Sequence, residues 1–139
     1  MLISWIHNGK EITSHNDFDE SVVGFIYEIV YTDGTLYIGK KLIRSIVRLK
    51  PTKAQLAIRK NYKRMEWKNK PFLRYVGSSD KTKHLVVKEK KILELCKDKL
   101  NLTYCEQKWL MKFDVLCNDK YHNDCIGGKF WAGKISKGR

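Results

Sequence analysis

Tyr27 and Tyr37 stand ten residues apart in GFIYEIVYTDGTLYIGKK, residues 24–41, and Lys40 and Lys41 close that stretch. A free phenol ionises near pH ~10, too high for a ready base at neutrality. Positive charge close by favours the phenolate and makes its oxygen useful for proton transfer. Glu106 is the third group of interest. It lies four residues from Leu102 and three and four from Trp109 and Leu110, within a segment of helical periodicity. Its carboxylate therefore falls on the face that should be buried, and a buried carboxylate requires a cation. A salt bridge to lysine or arginine supplies one. A divalent metal at the edge of a cleft supplies another.

The surrounding charge narrows the partner. The formal net charge is +13, unevenly placed. Residues 1–30 carry Lys10 against Glu11, Asp17, Asp19, Glu20 and Glu28, a net of −4. Residues 40–75 carry thirteen Lys or Arg against Glu66, a net of +12. Such a field attracts a polyanion, and DNA or RNA is the first candidate. A solvated basic face or an acidic membrane surface are the competing readings, and no lipid-anchoring pattern supports the second. The 139 residues suit a single domain with one core. No apolar run has the length of a membrane span, and MLISWIHNGKE lacks the pattern of a signal peptide, so a cytoplasmic location is expected. Reduced thiols follow for Cys96, Cys105, Cys117 and Cys125. Cys117, His122 and Cys125 are only loosely spaced like zinc ligands, because no paired CxxC is present.

The elements that must position these groups are partly visible. Residues 1–20 read as a short extended or irregular arm. Residues 22–31 and 35–39 read as strands joined at Asp33-Gly34, a strong turn signal. A two-residue loop makes pairing positions sum to 67 and puts the two tyrosines on opposite faces. A three-residue loop with Gly34 left-handed makes them sum to 66 and puts both phenols on one face. Periodicity does not choose between these registers. Residues 52–67 read as a basic helix with an apolar stripe of Ala54, Ile58, Tyr62 and Met65. Residues 91–97 read as a further strand and 102–117 as a second helix.

These residues together resemble the GIY-YIG nuclease superfamily. Phe25-Ile26-Tyr27 stands at the first tripeptide, with Phe25 in place of its glycine, and Tyr37-Ile38-Gly39 matches the second. Lys40 follows directly, Glu106 lies in Glu-x-x-Trp, and Asn123 lies in Tyr121-His122-Asn123 after that helix. The likeness covers about residues 22–125. It is nearest to the catalytic domains of phage homing endonucleases of the Seg type, through residues 72–79, KILELC and YCEQKW. It implies a small α/β (α+β) domain, a three-stranded antiparallel sheet flanked by helices. The expected organisation is an arm at 1–20, a catalytic core at 22–125 and a basic tail at 126–139.

The resemblance also implies the activity: metal-dependent hydrolysis of DNA, with Mg²⁺ or Mn²⁺ held by Glu106. Tyr27 would activate water and Tyr37 would hold the water or a phosphate oxygen. Lys40 and an arginine would favour the phenolate and contact the phosphate. The family's arginine usually lies on a helix about ten residues after the second tyrosine, and Arg48 is the nearest candidate, with Arg44 and Arg59 as alternatives. Asn123 would position Glu106 or a phosphate oxygen. Lys41, Arg44, Arg59, Lys60, Lys63 and Arg64 would track the DNA backbone. In homing endonucleases a separate DNA-binding region usually follows the catalytic domain, so limited specificity, a homodimer or a separate specificity partner is expected. The alternative reading is a non-catalytic nucleic-acid-binding module that keeps the fold.

Overall fold

The computed structural model describes residues 2–135. Its first hairpin, β1 (Trp5–His7) and β2 (Lys10–Ile12), turns at Asn8 and Gly9, both at positive φ. This is the two-residue turn that matches strand twist. Residues 5–12 are therefore part of the sheet. Trp5 is fully buried, and its Nε1 donates to the carbonyl of Phe72 at 2.8 Å.

The central hairpin is β3 (Gly24–Tyr31) and β4 (Leu36–Leu42). Tyr27 pairs with Gly39 and Ile29 with Tyr37, so the pairing positions sum to 66. Gly34 has φ +86°, and its N–H donates to the Tyr31 carbonyl, closing a three-residue loop. Both phenols consequently share one face. β7 (Val87–Cys96) lies antiparallel on the other side of β3. The sheet expected to have three strands has five, in the order β2-β1-β7-β3-β4. The added pair docks through β1, parallel to β7.

Alternation along β3 divides the interior into two cores. Tyr27, Ile29 and Tyr31 face a cluster with Trp5, Phe25 and Phe72. Ile26 and Ile38 face the opposite cluster, covered by α2 (Lys99–Lys112) through Leu102, Cys105 and Leu110. Asp98 caps this helix by accepting from the N–H of Asn101 at 2.7 Å.

The expected helix at 52–67 is not present as such. β5 (Arg44–Leu49) and β6 (Arg64–Asn69) form a separate two-stranded ribbon, and α1 (Lys53–Ile58) occupies the connection. Thr52 and Gln55 form a reciprocal capping box that starts α1, but the helix stops after six residues. Its intended stripe finds no core, and Ile58 is 80% exposed. Met65 and Trp67 instead obey the period of a strand. The helix expected to carry the arginine is thus replaced by β5, where Arg48 is exposed and pairs with Met65.

The first core also contains a buried cation, Lys90. Its Nζ donates to the carbonyls of Leu73 and Tyr75 at 2.8 and 2.9 Å and lies 4.4 Å from the Trp5 ring centroid. Burial lowers its pKa to about 8. Between that value and the ordinary 10.5 the unfolded chain holds the proton more firmly, so stability rises with pH across this window. Urea unfolding at pH 8 and pH 10 should show wild type gaining about 2 kcal/mol on Lys90→Met. The other titrating groups are common to both proteins. No relative gain would mean that Lys90 is solvated.

Candidate active site at the edge of β4

The tyrosine face is built around a missing side chain. The ring of Tyr27 lies across Gly39, where an added Cβ would overlap its hydroxyl and stand 2.6 Å from Cζ. Glycine at the end of the second tripeptide is a packing requirement here. Tyr37 lies beside Tyr27, with centroids 6.3 Å apart and planes tilted by 33°. A third phenol joins them. The Tyr75 ring meets Tyr27 edge-on at 5.8 Å, with hydroxyls 3.5 Å apart. Lys41 places its Nζ 4.5 Å from the Tyr75 centroid. Tyr75 is held from behind by the Lys90 contacts to its loop.

Glu106 approaches from the other face of the sheet. β4 is an edge strand, and its outward N–H groups need acceptors. Leu36 donates to the Lys120 carbonyl at 2.8 Å, Ile38 to Asn123 Oδ1 at 3.1 Å, and Lys40 to the Glu106 carboxylate. The side-chain amide of Asn123 also donates to the Ile38 carbonyl at 2.7 Å, so it pairs with β4 as a neighbouring strand would. Its hydrogen bonds are directed to this edge rather than to Glu106. Asn123→Ala should cost about 2 kcal/mol in urea unfolding, because it strips both partners from Ile38. A cost below ~0.5 kcal/mol would show that water replaces them.

The charge state of the site differs from the sequence-based expectation. Burial pushes Tyr27 far above the usual phenol range, and Tyr75, Tyr37 and Glu106 add to the effect. Tyr37 is half-buried and is pushed up to about 12, again mainly by burial. Both phenols are therefore neutral near pH 7, despite Lys40 and Lys41. Glu106 is itself raised by burial, with partial relief from the charge and backbone N–H of Lys40. Among the described residues it forms no salt bridge. The ammonium two residues on goes elsewhere: Lys108 Nζ and Trp109 Nε1 both bind Glu94, at 2.7 and 2.8 Å.

Next to Tyr75 a cleft of about 310 Å³ is lined by Lys40, Lys41, Lys99, Leu102 and Thr103. Lys40 Nζ donates to Thr103 Oγ1 at 2.9 Å. The structure thus gathers Tyr27, Tyr37, Lys40, Lys41 and Glu106 around β4, with Asn123 beside them. Sequence reasoning missed Tyr75, Lys99 and Thr103. Tyr75 lies in the residues 72–79 segment already singled out for its likeness, which was its available signal.

A family model described as "Putative endonuclease segE, GIY-YIG domain" matches residues 5–126. The chain belongs to this GIY-YIG family. The match includes the first hairpin, in keeping with the place of β1 in the sheet. No curated protein and no solved structure matches the chain.

The remaining basic residues sit apart from this GIY-YIG site. The guanidinium of Arg44 is used by the carbonyls of Asp19, Val22 and His15, at 2.7 to 3.0 Å, where it ties the ribbon to the domain. Arg48 lies four residues farther out, roughly 13 Å along the strand. No hydrogen bond, ion pair or ring contact links it to the tyrosines or Glu106 among the described residues. Arg59, Lys60 and Lys63 are exposed beyond α1, and Arg64 pairs with Glu66 at 3.0 Å. The loosely zinc-like set does not assemble: His122 Nε2 contacts Thr35 Oγ1 at 2.7 Å. Among the described residues no three His, Cys, Asp or Glu come together as a metal site. No described helix is long and apolar enough to cross a membrane. Of the basic tail, residues 136–139 lie outside the described residues.

Proposed function

We propose that the chain is a metal-dependent DNA endonuclease that hydrolyses one phosphodiester at the β4 edge. The observation that carries this reading is the half-buried Glu106, which has no salt bridge among the described residues and lies close enough to raise both phenols. A desolvated carboxylate with free coordination capacity fits a hard divalent ion completed by water and phosphate oxygens. Mg²⁺ or Mn²⁺ bound to Glu106 would offset its charge, stabilise the negative charge developing on the phosphate, and assist the leaving 3′-oxygen.

The protein groups divide the rest of the work. Tyr37, rather than the Tyr27 expected from the resemblance, is the more exposed phenol and the less strongly raised; a cation on Glu106 together with Lys40 and Lys41 would favour its phenolate, the form that takes the proton from an attacking water. Tyr27 is buried and neutral. Its hydroxyl orients that water and keeps Tyr75 in register. Lys40, Lys41 and Lys99 line the cleft and supply the positive charge for the scissile phosphate, the role expected of Arg48. Arg48 lies on the ribbon, away from the reacting phosphate. The proposed setting, phage-encoded and acting in the host cytoplasm, follows from the likeness to the Seg type.

Relaxation of supercoiled plasmid with Mg²⁺, with Mn²⁺ and with chelator tests the reading. A single site cuts one strand, so nicked circles should precede linear DNA. Salt-sensitive binding without nicking in any metal would favour the non-catalytic module.

A further inference from the structure

Among the described residues the β5–β6 ribbon has no strand neighbour beyond its own pair. Its pleat gathers Ile46, Arg48, Met65 and Trp67 on one face, through the pairs Ile46–Trp67 and Arg48–Met65. Three of these are large apolar side chains left in water: Ile46 is 46% exposed, Met65 53% and Trp67 60%. Residues 44–70 surround this face with ten Lys or Arg against Glu66, which Arg64 already neutralises. A groove of about 360 Å³ runs from Ile46 and Trp67 to Lys97 and Lys99 at the start of α2. Asp98 also lines it, but its carboxylate caps α2. Lys99 lines both this groove and the cleft beside Tyr75, so the two are neighbours.

We propose that the β5–β6 ribbon is a DNA-reading arm that enters the major groove of the duplex with its Ile46–Arg48–Met65–Trp67 face. The proposal deepens the nuclease reading and rests on DNA as its substrate. The major groove, about 12 Å wide, admits a two-stranded ribbon. Lysines and arginines at the ribbon edges and tip contact phosphates and set position. Ile46, Met65 and Trp67 meet base edges and thymine methyls, and Arg48 reaches guanine acceptors. An acidic protein would also suit the charge. The adjacency of the groove to the tyrosine cleft favours the duplex, because one duplex can then meet both surfaces.

Fluorescence anisotropy tests this with a labelled 30-base-pair duplex and its isolated single strand, in chelator so that no cleavage occurs. Trp67→Ala combined with Met65→Ser should weaken duplex binding at least tenfold with the salt slope unchanged. Lys60→Ala combined with Lys63→Ala should lower the salt slope by about two, since each phosphate contact contributes about 0.9. All four residues are at the surface, and circular dichroism confirms that the variants fold. Duplex binding by Trp67→Ala/Met65→Ser equal to wild type overturns the proposal, as does preference of wild type for the single strand. A wild type that binds duplex through these residues but never nicks DNA sustains the arm and sinks the nuclease reading. A wild type that nicks, with the double variant binding normally, does the reverse.

Discussion

Glu106→Gln is expected to reduce metal-dependent plasmid nicking at least about 1,000-fold while leaving duplex binding in chelator unchanged. A cation that neutralises developing phosphate charge is worth several kcal/mol, and each 1.36 kcal/mol is about tenfold in rate. The amide keeps the size of the carboxylate and can still accept from the Lys40 N–H, but it is a far poorer ligand for a hard cation. The same variant should not lose stability. Burial raises Glu106 above the usual carboxylate range, so the ionised form is disfavoured by folding at neutral pH. The uncharged glutamine escapes that cost, and its urea midpoint at pH 7 should equal or exceed wild type. The difference should fade as pH falls through the raised pKa and then the unfolded value, where Glu106 is protonated in both states. Loss of activity with gain of stability is the signature of a group kept for chemistry. Nicking within tenfold of wild type would remove Glu106 as the cation seat.

The central hairpin, β7 and α2 were legible because their signals are local. Asp33-Gly34 marks the turn, β-branched and aromatic residues fill β3, and helical spacing places Glu106 beside Leu102 and Trp109. The register was narrowed to two choices, and the left-handed Gly34 selects one. Asn8-Gly9 is an equally local hairpin signal, and reading residues 1–20 as an arm passes over it. What no local signal carries is the parallel docking of β1 on β7, which joins residues more than eighty positions apart. The ribbon failed for a different reason. Ala54, Ile58, Tyr62 and Met65 have helical spacing, but that spacing makes a helix only where a core receives it. Asn123 shows the limit for site residues. Its position after α2 was legible, while its use as a plug for the edge of β4 depends on the three-dimensional pairing with Ile38. The direction of the tyrosine shifts was missed for the same reason. Lys40 and Lys41 are adjacent in sequence, but burial outweighs their charge.

Gly39→Ala should disable the site through packing alone. A methyl at this position meets the Tyr27 hydroxyl and ring, and Tyr27 is buried, with the Trp5 ring centroid 5.4 Å away and the Tyr75 centroid 5.8 Å away. Overpacking of this kind costs about 1–3 kcal/mol. The ring must turn outward or the β4 edge must shift, and either movement disturbs the spacing of Tyr27, Tyr37 and the Lys40 N–H that holds Glu106. A misplacement near 1 Å is enough to lower cleavage about 100-fold. Tyr27→Phe provides the comparison. It retains the ring, so its stability should fall by less than ~1 kcal/mol, while losing the hydroxyl should slow nicking by about 100-fold or more. Combining the two changes removes the closest contact of the new methyl. The double variant should therefore be less destabilised than the sum of the singles, with a coupling of about 1 kcal/mol in urea unfolding. Strict additivity would mean that the Tyr27 hydroxyl does not meet the new methyl. Full activity in Gly39→Ala would mean that the position of this phenol does not control the reaction.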